Sequence, residues 1–286
     1  MMVFPLHRAL WMAYKWREAA SPEGWAALIR KFAADPAYAH AASGEAFTAG
    51  PDSGWRYAFQ LLPVHEKLRK AYKLDEIAGQ GTAFERSLRL MDWLTAHTYY
   101  SGMSVWSGYF NQWREDSYQR LRFAFDKPFS HSLNCRHKAM IFADCLMAVG
   151  IYAMPLGILP GHLVTHVWLP EERGWIMLDP SLGSYITGSE GRALNLIEIH
   201  DHHRKGEALR VARYSLNGTQ DCRELYLDCF VLNSLQGITA CDGSSRKGGL
   251  RNQLLPSDVP LKDKNTRAIT STELLAEPIA KETVSP

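Results

Sequence analysis

The sequence predicts an α+β fold in which a buried helix packs on an antiparallel sheet, with a largely helical N-terminal region. Before residue 125 the apolar residues recur every three to four positions, as in "GTAFERSLRLMDWLTAHTYY", which is typical of amphipathic helices. In that segment Leu88, Leu90, Met91 and Leu94 are expected to face inward. After Gly150 the pattern changes to short apolar runs bounded by Pro and Gly: "IYAMPLGILPG", "HLVTHVWLP" and "GWIMLDP". These runs predict three strands, and helices followed by a meander are typical of α+β domains.

Three regions are predicted along the 286 residues, a length that suits one large domain or two modest ones. The stretch "FTAGPDSGW" breaks the helical pattern, and residues 1–62 are predicted to form a helical N-terminal extension. Residues 63–250 carry the helices and strands of the core domain. Residues 251–286 are rich in Pro, Ser, Thr, Lys and Glu and have few large apolar side chains, which predicts a poorly ordered C-terminal tail.

Composition and charge favour an ordinary soluble protein. Hydrophobic residues make up 46% of the chain, charged residues 22%, and the formal net charge is +2, so nucleic acid is not an expected partner. Charges interrupt the N-terminal apolar residues, which argues against a signal peptide, and no apolar run has the length of a membrane span, so no membrane partner is expected. Five scattered cysteines argue against a disulfide framework and for a reducing compartment. We predict a cytoplasmic location.

The segment "SLNCRHKAMIFADCLMAVG" predicts a helix whose N-cap is Ser132 and whose first turn holds Cys135. The unpaired amide groups and the dipole at a helix N-terminus favour a thiolate over a thiol, and Arg136 and Lys138 add positive charge. Cys135 is therefore the candidate nucleophile. Cys145 lies ten residues later in the apolar part of the same helix and is predicted to be an ordinary core residue.

The second and third predicted strands place a histidine beside a carboxylate. A four-residue loop ending at Gly174 would pair Pro170 with Trp175, and counting outward in that register puts His166 directly opposite Asp179. Their Cβ atoms would then lie about 5 Å apart on one face of the sheet. A carboxylate in this position holds an imidazole in one tautomer and stabilises it when it is protonated, as in catalytic triads.

These residues carry a resemblance to a known family. Cys135 at the start of an apolar helix, then "THVWL" with His166, then "GWIMLDP" with Asp179, resembles the transglutaminase-like superfamily, which is related to papain-type cysteine proteases. The resemblance covers about Leu68 to Tyr185. It implies a transglutaminase-like (papain-like) catalytic domain with a thiolate at Cys135, a general base and acid at His166, and Asp179 as the group that orients the histidine.

The resemblance also implies acyl transfer through a Cys thioester, with water or an amine as the acceptor. The animal crosslinking enzymes have Trp after the cysteine, where this chain has Arg136, and the likeness is greater to the bacterial branch. The expected reaction is amide-bond formation or cyclisation in a biosynthetic pathway. Two alternatives stay open: a cysteine peptidase or amidase, and an inactive module that binds a peptide or a carrier protein. The expected substrate is a peptide, amide or thioester, free or held by a carrier protein, and no cofactor is expected.

Two further features of the site are only partly specified by the sequence. Stabilising the tetrahedral oxyanion requires a side-chain donor besides the backbone amide of the nucleophile, and Asn134, Gln112 and Asn111 are the candidates. His162 lies on the same strand face as His166, four residues earlier, and could line the cleft.

The other conspicuous residues are predicted to be structural. His137 lies on a different side of the helix from Cys135. The run "HDHH" at 200–203 is predicted to be a solvated loop, because adjacent residues point in different directions and supply no three-ligand site. No metal site is expected. The remaining predictions are core positions for Cys222 and Cys229 and mutual packing of Trp168 and Trp175.

Overall fold

The computed structural model describes Phe47 and residues 58–100, 116–126, 133–158, 162–213, 238–241, 251–254, 266–268 and 270–280. The described helices are α1 (Pro63–Tyr72), α2 (Leu74–Ala78), α3 (Ala83–His97), α4 (Ser117–Asp126), α5 (Cys135–Ala148), α6 (Leu196–Arg204) and α7 (Ser271–Leu274). The described strands are β1 (Ala58–Phe59), β2 (Ala153–Ile158), β3 (His162–Leu169), β4 (Gly174–Asp179), β5 (Ser184–Thr187), β6 (Arg210–Val211), β7 (Ile238–Cys241), β8 (Arg251–Leu254), β9 (Thr266–Ala268) and β10 (Ile279–Ala280). Within these residues no helix is both long enough and apolar enough to cross a membrane.

Eight strands form one sheet in the order β6-β5-β4-β3-β2-β7-β8-β9. Neighbouring strands in it are antiparallel except β8 and β9, which pair in parallel. Strands β1 and β10 form a separate parallel pair. Strands β2, β3 and β4 lie in the three apolar runs from which they were predicted, and the combination of helices with a largely antiparallel sheet confirms the α+β class.

Helix α3 forms where the apolar periodicity predicts it. The side chain of Thr82 accepts a hydrogen bond from the N–H of Glu85, and the Glu85 carboxylate accepts one from the N–H of Thr82, which caps the helix reciprocally. Of the four residues predicted to face inward, Leu88 is only half-buried. The other three are fully buried: Leu90, Met91 and Leu94.

Helix α5 is buried on most sides. It packs against β2 and β3 on one side and against α1, α3 and α4 on the other. The Thr165 hydroxyl in β3 donates to the carbonyl of Ala139 at 3.2 Å, which ties the helix to the sheet. The apolar residues that recur at helical spacing along this segment are buried: Ala139, Phe142, Ala143, Leu146 and Val149. This burial explains why the sequence of the helix is apolar on nearly all faces.

The N-cap of α5 is Asn134, so the prediction of Ser132 is wrong. The Asn134 Oδ1 atom accepts a hydrogen bond from the N–H of His137 at 3.0 Å, the usual cap contact three residues into a helix. Cys135 is accordingly the first helical residue, which agrees with its predicted place in the first turn.

The register of the β3–β4 hairpin differs from the predicted one. Trp168 lies opposite Trp175, and His166 lies opposite Met177 rather than opposite Asp179. The loop still has four residues, but it begins at Pro170, one residue earlier than predicted, as the pairing of Leu169 with Gly174 shows. The left-handed residue is therefore Arg173 (φ 48°) rather than Gly174.

Two physical effects favour the observed register. The rings of Trp168 and Trp175 lie 5.5 Å apart in an edge-to-face arrangement and are both buried, which confirms that they pack on each other. Such cross-strand aromatic pairs stabilise a hairpin. Pro170 has no N–H and cannot donate within a strand ladder, so the loop suits it better than the predicted pairing with Trp175.

The segment 270–280 is folded, so a poorly ordered tail does not describe this part of the chain. The side chain of Thr270 caps α7, and Leu274 is 1% exposed. The indole N–H of Trp175 donates to the carbonyl of Ala276 at 3.0 Å. The helix cap, the buried leucine and the indole hydrogen bond hold this segment in place.

The histidine run at 200–203 does not form the predicted solvated loop. It lies in α6, which Asn195 caps by accepting hydrogen bonds from two N–H groups of the first turn. His200 is buried with its ring 4.4 Å from that of Phe47, and Nδ1 of His202 lies 2.9 Å from the carboxylate of Glu207. The periodicity of "LNLIEIHDHH" was too short to distinguish a helix end from a loop.

Asp144 of α5 connects three helices through one carboxylate. It accepts a hydrogen bond from the Ser117 hydroxyl of α4 and lies 3.1 Å from Nε2 of His65 in α1. Nδ1 of His65 in turn accepts the N–H of Leu62 at 3.1 Å. The acceptor role of Nδ1 places the ring proton on Nε2, so the ring donates to Asp144.

Asp144→Ala is expected to lower the free energy of unfolding by about 3 kcal/mol, because hydrogen bonds to a charged group contribute about 1.5–3 kcal/mol each. Urea denaturation measures this loss. The matched control is Glu66→Ala, which removes a surface ion pair with Lys70 and should change stability by less than about 0.5 kcal/mol. Equal losses in the two variants would contradict a structural role for Asp144.

Candidate active site

Cys135 lies at the N-terminus of α5, where its side chain is partly exposed. Its thiol lies next to the imidazole of His162 and the backbone N–H of Leu163, at the start of β3, and both lower its pKa. The first N–H groups of a helix have no acceptor within the helix, so the positive end of the helix dipole lies next to the sulfur. The helix, the strand and the imidazole all favour a negative charge on the sulfur.

His162 and Asp179 form a buried pair behind the thiol. Nε2 of His162 lies 2.6 Å from Oδ2 of Asp179, and the two side chains are 1% and 0% exposed. The second carboxylate oxygen, Oδ1, accepts the backbone N–H of Ser181 at 2.8 Å. Because Nε2 is committed to Asp179, Nδ1 is the ring nitrogen available to act on Cys135. The thiol, the imidazole and the carboxylate thus lie together in that order.

The electrostatics of the site favour a thiolate paired with an imidazolium. Burial raises the pKa of the Cys135 thiol, but the interaction with His162, its charge included, and the Leu163 N–H together bring it below its ordinary value. Burial lowers the pKa of His162, whereas the charge of Asp179, the hydrogen bond to it and the neighbouring sulfur raise it to about 10. Each group stabilises the charged form of its neighbour.

His166 does not take part in this arrangement of thiol, imidazole and carboxylate, so its predicted pairing with Asp179 is wrong. Its ring is 0% exposed and stacks on that of Trp175, with centroids 5.4 Å apart and an interplanar angle of 11°. Neither ring nitrogen has a hydrogen-bond partner in the part of the chain that the structure describes. Burial lowers the pKa of His166 to about 3, which makes it a neutral core residue at physiological pH.

The sequence contained a weak signal for His162. Continued one residue past the pair of Thr165 with Leu178, the observed register places Asp179 opposite Val164. His162 and His166 are then the two diagonal neighbours of the carboxylate on one face of the sheet. Strand periodicity alone does not choose between them, and His162 was predicted only to line the cleft.

The remaining predicted residues have different outcomes. His137 is buried, and burial together with nearby arginines lowers its pKa to about 3, which agrees with a structural role. Cys145 is fully buried as predicted, and burial raises the pKa of its thiol. Asn134 is the helix cap, which leaves its role toward an oxyanion a prediction. Four residues named as candidates lie outside the described residues: Asn111, Gln112, Cys222 and Cys229.

The arrangement can carry out nucleophilic chemistry with groups of the chain itself. A thiolate held beside an imidazolium attacks a carbonyl carbon, and the same imidazolium can protonate the group that leaves. Across the described ranges no group of three or more His, Cys, Asp or Glu side chains could hold a metal ion.

Comparison of the chain with protein-family models, with curated proteins and with solved structures finds no match.

Proposed function

We propose that the chain is a thiol-dependent acyl-transfer enzyme with a transglutaminase-like core, in which Cys135 is the nucleophile, His162 the general acid and base, and Asp179 the orienting carboxylate. The observation that carries this proposal is the buried hydrogen bond between His162 and Asp179, beside a thiol at the N-terminus of a buried helix. A structural cysteine would require neither a buried ion pair nor a helix dipole beside it.

In the first half-reaction the Cys135 thiolate attacks the carbonyl carbon of an amide or thioester and forms a tetrahedral oxyanion. The backbone N–H of Cys135, at the start of the helix, is one donor available to that oxyanion. The bond between the carbonyl carbon and the leaving group then breaks, and His162 gives its proton to the departing nitrogen or sulfur. The product is a thioester on Cys135 and a neutral His162.

In the second half-reaction neutral His162 removes a proton from the acceptor as the acceptor attacks the thioester. Collapse of the tetrahedral intermediate breaks the bond between carbon and sulfur and restores the thiolate and the imidazolium. Asp179 stays ionised throughout and keeps Nδ1 of His162 directed at the sulfur. The acceptor alone distinguishes the two enzymatic possibilities.

An amine acceptor gives amide-bond formation or cyclisation in a biosynthetic pathway, which is the reaction we propose. A water acceptor gives a cysteine peptidase or amidase and uses the same residues in the same order. The third possibility, an inactive module that binds a peptide or a carrier protein, has less support, because it would leave the buried His162–Asp179 pair without a purpose.

Cys135→Ala is expected to abolish the fast alkylation of the protein by iodoacetamide near neutral pH and to change the melting temperature little. Labelling followed by peptide mass analysis measures the reaction. Cys145→Ala is the matched control on the same helix: its thiol is buried, so its loss should leave the fast labelling intact. Unchanged fast labelling in Cys135→Ala would overturn the assignment of the nucleophile.

Intact-mass analysis distinguishes the two acceptors. An activated acyl thioester is expected to add one acyl group to the wild type and none to Cys135→Ala. Faster loss of that acyl group when primary amines are added, with the matching amide as product, supports amide formation. Loss at the same rate in water alone, without amide product, supports the hydrolase instead.

A further inference from the structure

Side-chain hydrogen bonds hold helix α5 on more than one side. Toward the helices, Nζ of Lys138, a residue that is 1% exposed, donates to the carbonyl of Thr98 at the C-cap of α3 at 3.3 Å. Toward the sheet, the Thr165 hydroxyl of β3 donates to the carbonyl of Ala139 at 3.2 Å. Both Thr165 and Ala139 are fully buried. The second bond joins the helix of the proposed nucleophile directly to the strand of the proposed base.

The bond from Thr165 to Ala139 lies near the ends of the helix and the strand that carry Cys135 and His162. Ala139 is four residues after Cys135, which is about one turn, or about 6 Å, along the helix axis. Thr165 is three residues after His162, which is about 10 Å along the strand. A slide or a rotation of the helix against the strand would break this bond. The bond therefore helps to set the distance between the sulfur and the imidazole.

The residue type at position 165 agrees with a role beyond packing. Alternate residues of a strand point to the same face, so Thr165 shares a face with Val167 and Leu169. Both of these belong to the apolar cluster that includes Phe142 and Leu146 of α5. A valine has nearly the shape of a threonine and would pack on the helix without the cost of burying a hydroxyl. The hydrogen bond is what the hydroxyl adds.

We propose that Thr165 is a positioning residue of the acyl-transfer site, because its hydrogen bond to Ala139 fixes the N-terminal turn of α5 against β3 and keeps the Cys135 sulfur beside the His162 imidazole. A displacement of about 1 Å within a site can slow a reaction about 100-fold. This role rests on the proposed function, since it concerns the geometry in which Cys135 and His162 react.

Two substitutions separate the hydroxyl of Thr165 from its methyl group. Thr165→Val keeps the shape and removes the hydrogen bond. It should change the melting temperature little, because the Ala139 carbonyl keeps its helical bond from the N–H of Ala143. Thr165→Ser keeps the hydroxyl and loses a buried methyl group, so it should lower the melting temperature more. A residue that only stabilises the fold would lose reactivity in the same order as stability.

The pH profile of Cys135 alkylation by iodoacetamide measures the effect on the thiol. In Thr165→Val the ionisation of the thiol is expected about one pH unit higher than in the wild type, because the displaced imidazole stabilises the thiolate less. Acyl transfer is expected to fall about 10- to 100-fold in the same variant. In Thr165→Ser the profile and the acyl transfer should stay near those of the wild type, despite the lower melting temperature.

The matched control is Ser87→Ala in α3. The Ser87 hydroxyl is also buried and donates to a helix carbonyl, that of Ala83 at 2.7 Å, at the end of α3 opposite to Thr98. Its loss should leave the alkylation profile in place. His162 and Asp179, whose charges act on the thiol, are present in every variant, so a shifted profile reports a change in geometry.

Titration of ¹⁵N-labelled histidine by NMR is a second measurement and needs no reactive thiol. The sulfur of Cys135 helps to raise the pKa of His162, so the midpoint of His162 should fall in Thr165→Val and stay in place in Thr165→Ser. A wild-type alkylation profile and a wild-type His162 midpoint in Thr165→Val would overturn the role of Thr165. If Cys135→Ala disproves the proposed function, the midpoint still shows whether Thr165 holds the imidazole beside the sulfur.

Discussion

His162→Asn is expected to slow the alkylation of Cys135 by iodoacetamide about 10- to 100-fold at pH 6. A thiol with the ordinary pKa of about 8.5 is only about 0.3% ionised at that pH. The interaction with His162 lowers the pKa of the Cys135 thiol and so raises its ionised fraction. The lower intrinsic nucleophilicity of a low-pKa thiolate offsets part of that difference. Acyl transfer should fall further than alkylation, because the variant also lacks the proton donor and acceptor of both half-reactions.

The matched control is His166→Phe, four residues along the same strand. Phenylalanine keeps a flat ring against Trp175, and His166 makes no hydrogen bond in the described residues, so alkylation at pH 6 should stay near the wild-type rate. Stopped-flow or quenched labelling compares the two variants directly. The opposite pattern, with a fast His162 variant and a slow His166 variant, would return the role of base to His166.

The same His166→Phe substitution is expected to make the protein more resistant to acid. His166 stays neutral in the folded protein down to a pKa of about 3, whereas in the unfolded chain it takes up a proton near pH 6.5. Unfolding therefore binds a proton between these values, and lowering the pH through this window costs the wild type about 1.4 kcal/mol of stability per pH unit. Phenylalanine cannot bind a proton, so the variant does not lose this stability.

The pH of 4.5 lies two units below the pKa of His166 in the unfolded chain. At this pH the increase in the free energy of unfolding caused by His166→Phe should exceed the increase at pH 7.5 by about 3 kcal/mol. A smaller gain of about 1 kcal/mol at pH 7.5 is expected from removing two buried nitrogens without partners. Urea denaturation at the two pH values measures both quantities. Equal gains at both pH values would show that the ring is protonated in the folded protein.

The helix of Cys135 could be predicted from the sequence, and the partner of Asp179 could not. Burial on several sides makes α5 an apolar run with a polar first turn, which identifies both the helix and the end that holds the candidate nucleophile. The register of the β3–β4 hairpin is harder to predict, because a loop of residues 170–173 and a loop of residues 171–174 both have four residues. The choice between them depends on how Trp168 packs on Trp175, which is a tertiary interaction.

Lys138 shows another limit of sequence reading. Its place three residues after Cys135 predicts that it adds positive charge near the thiol, and a lysine in the first turn of a helix is normally solvated. Its burial follows from the chain that precedes α5: Leu133 pairs with Tyr100, which brings the end of α3 over the helix N-terminus. Contacts between segments this far apart in sequence leave no periodic pattern.

The bond from Trp175 to the carbonyl of Ala276 joins residues that are 101 positions apart. A ribosome adds about 5–20 residues per second, so the acceptor is synthesised about 5–20 s after the indole. During that interval water or a chaperone must satisfy the indole N–H, although the strand that carries Asp179 has already been made. Nascent chains of this protein thus pass through a stage in which β2, β3 and β4 have been synthesised before the segment that contacts Trp175.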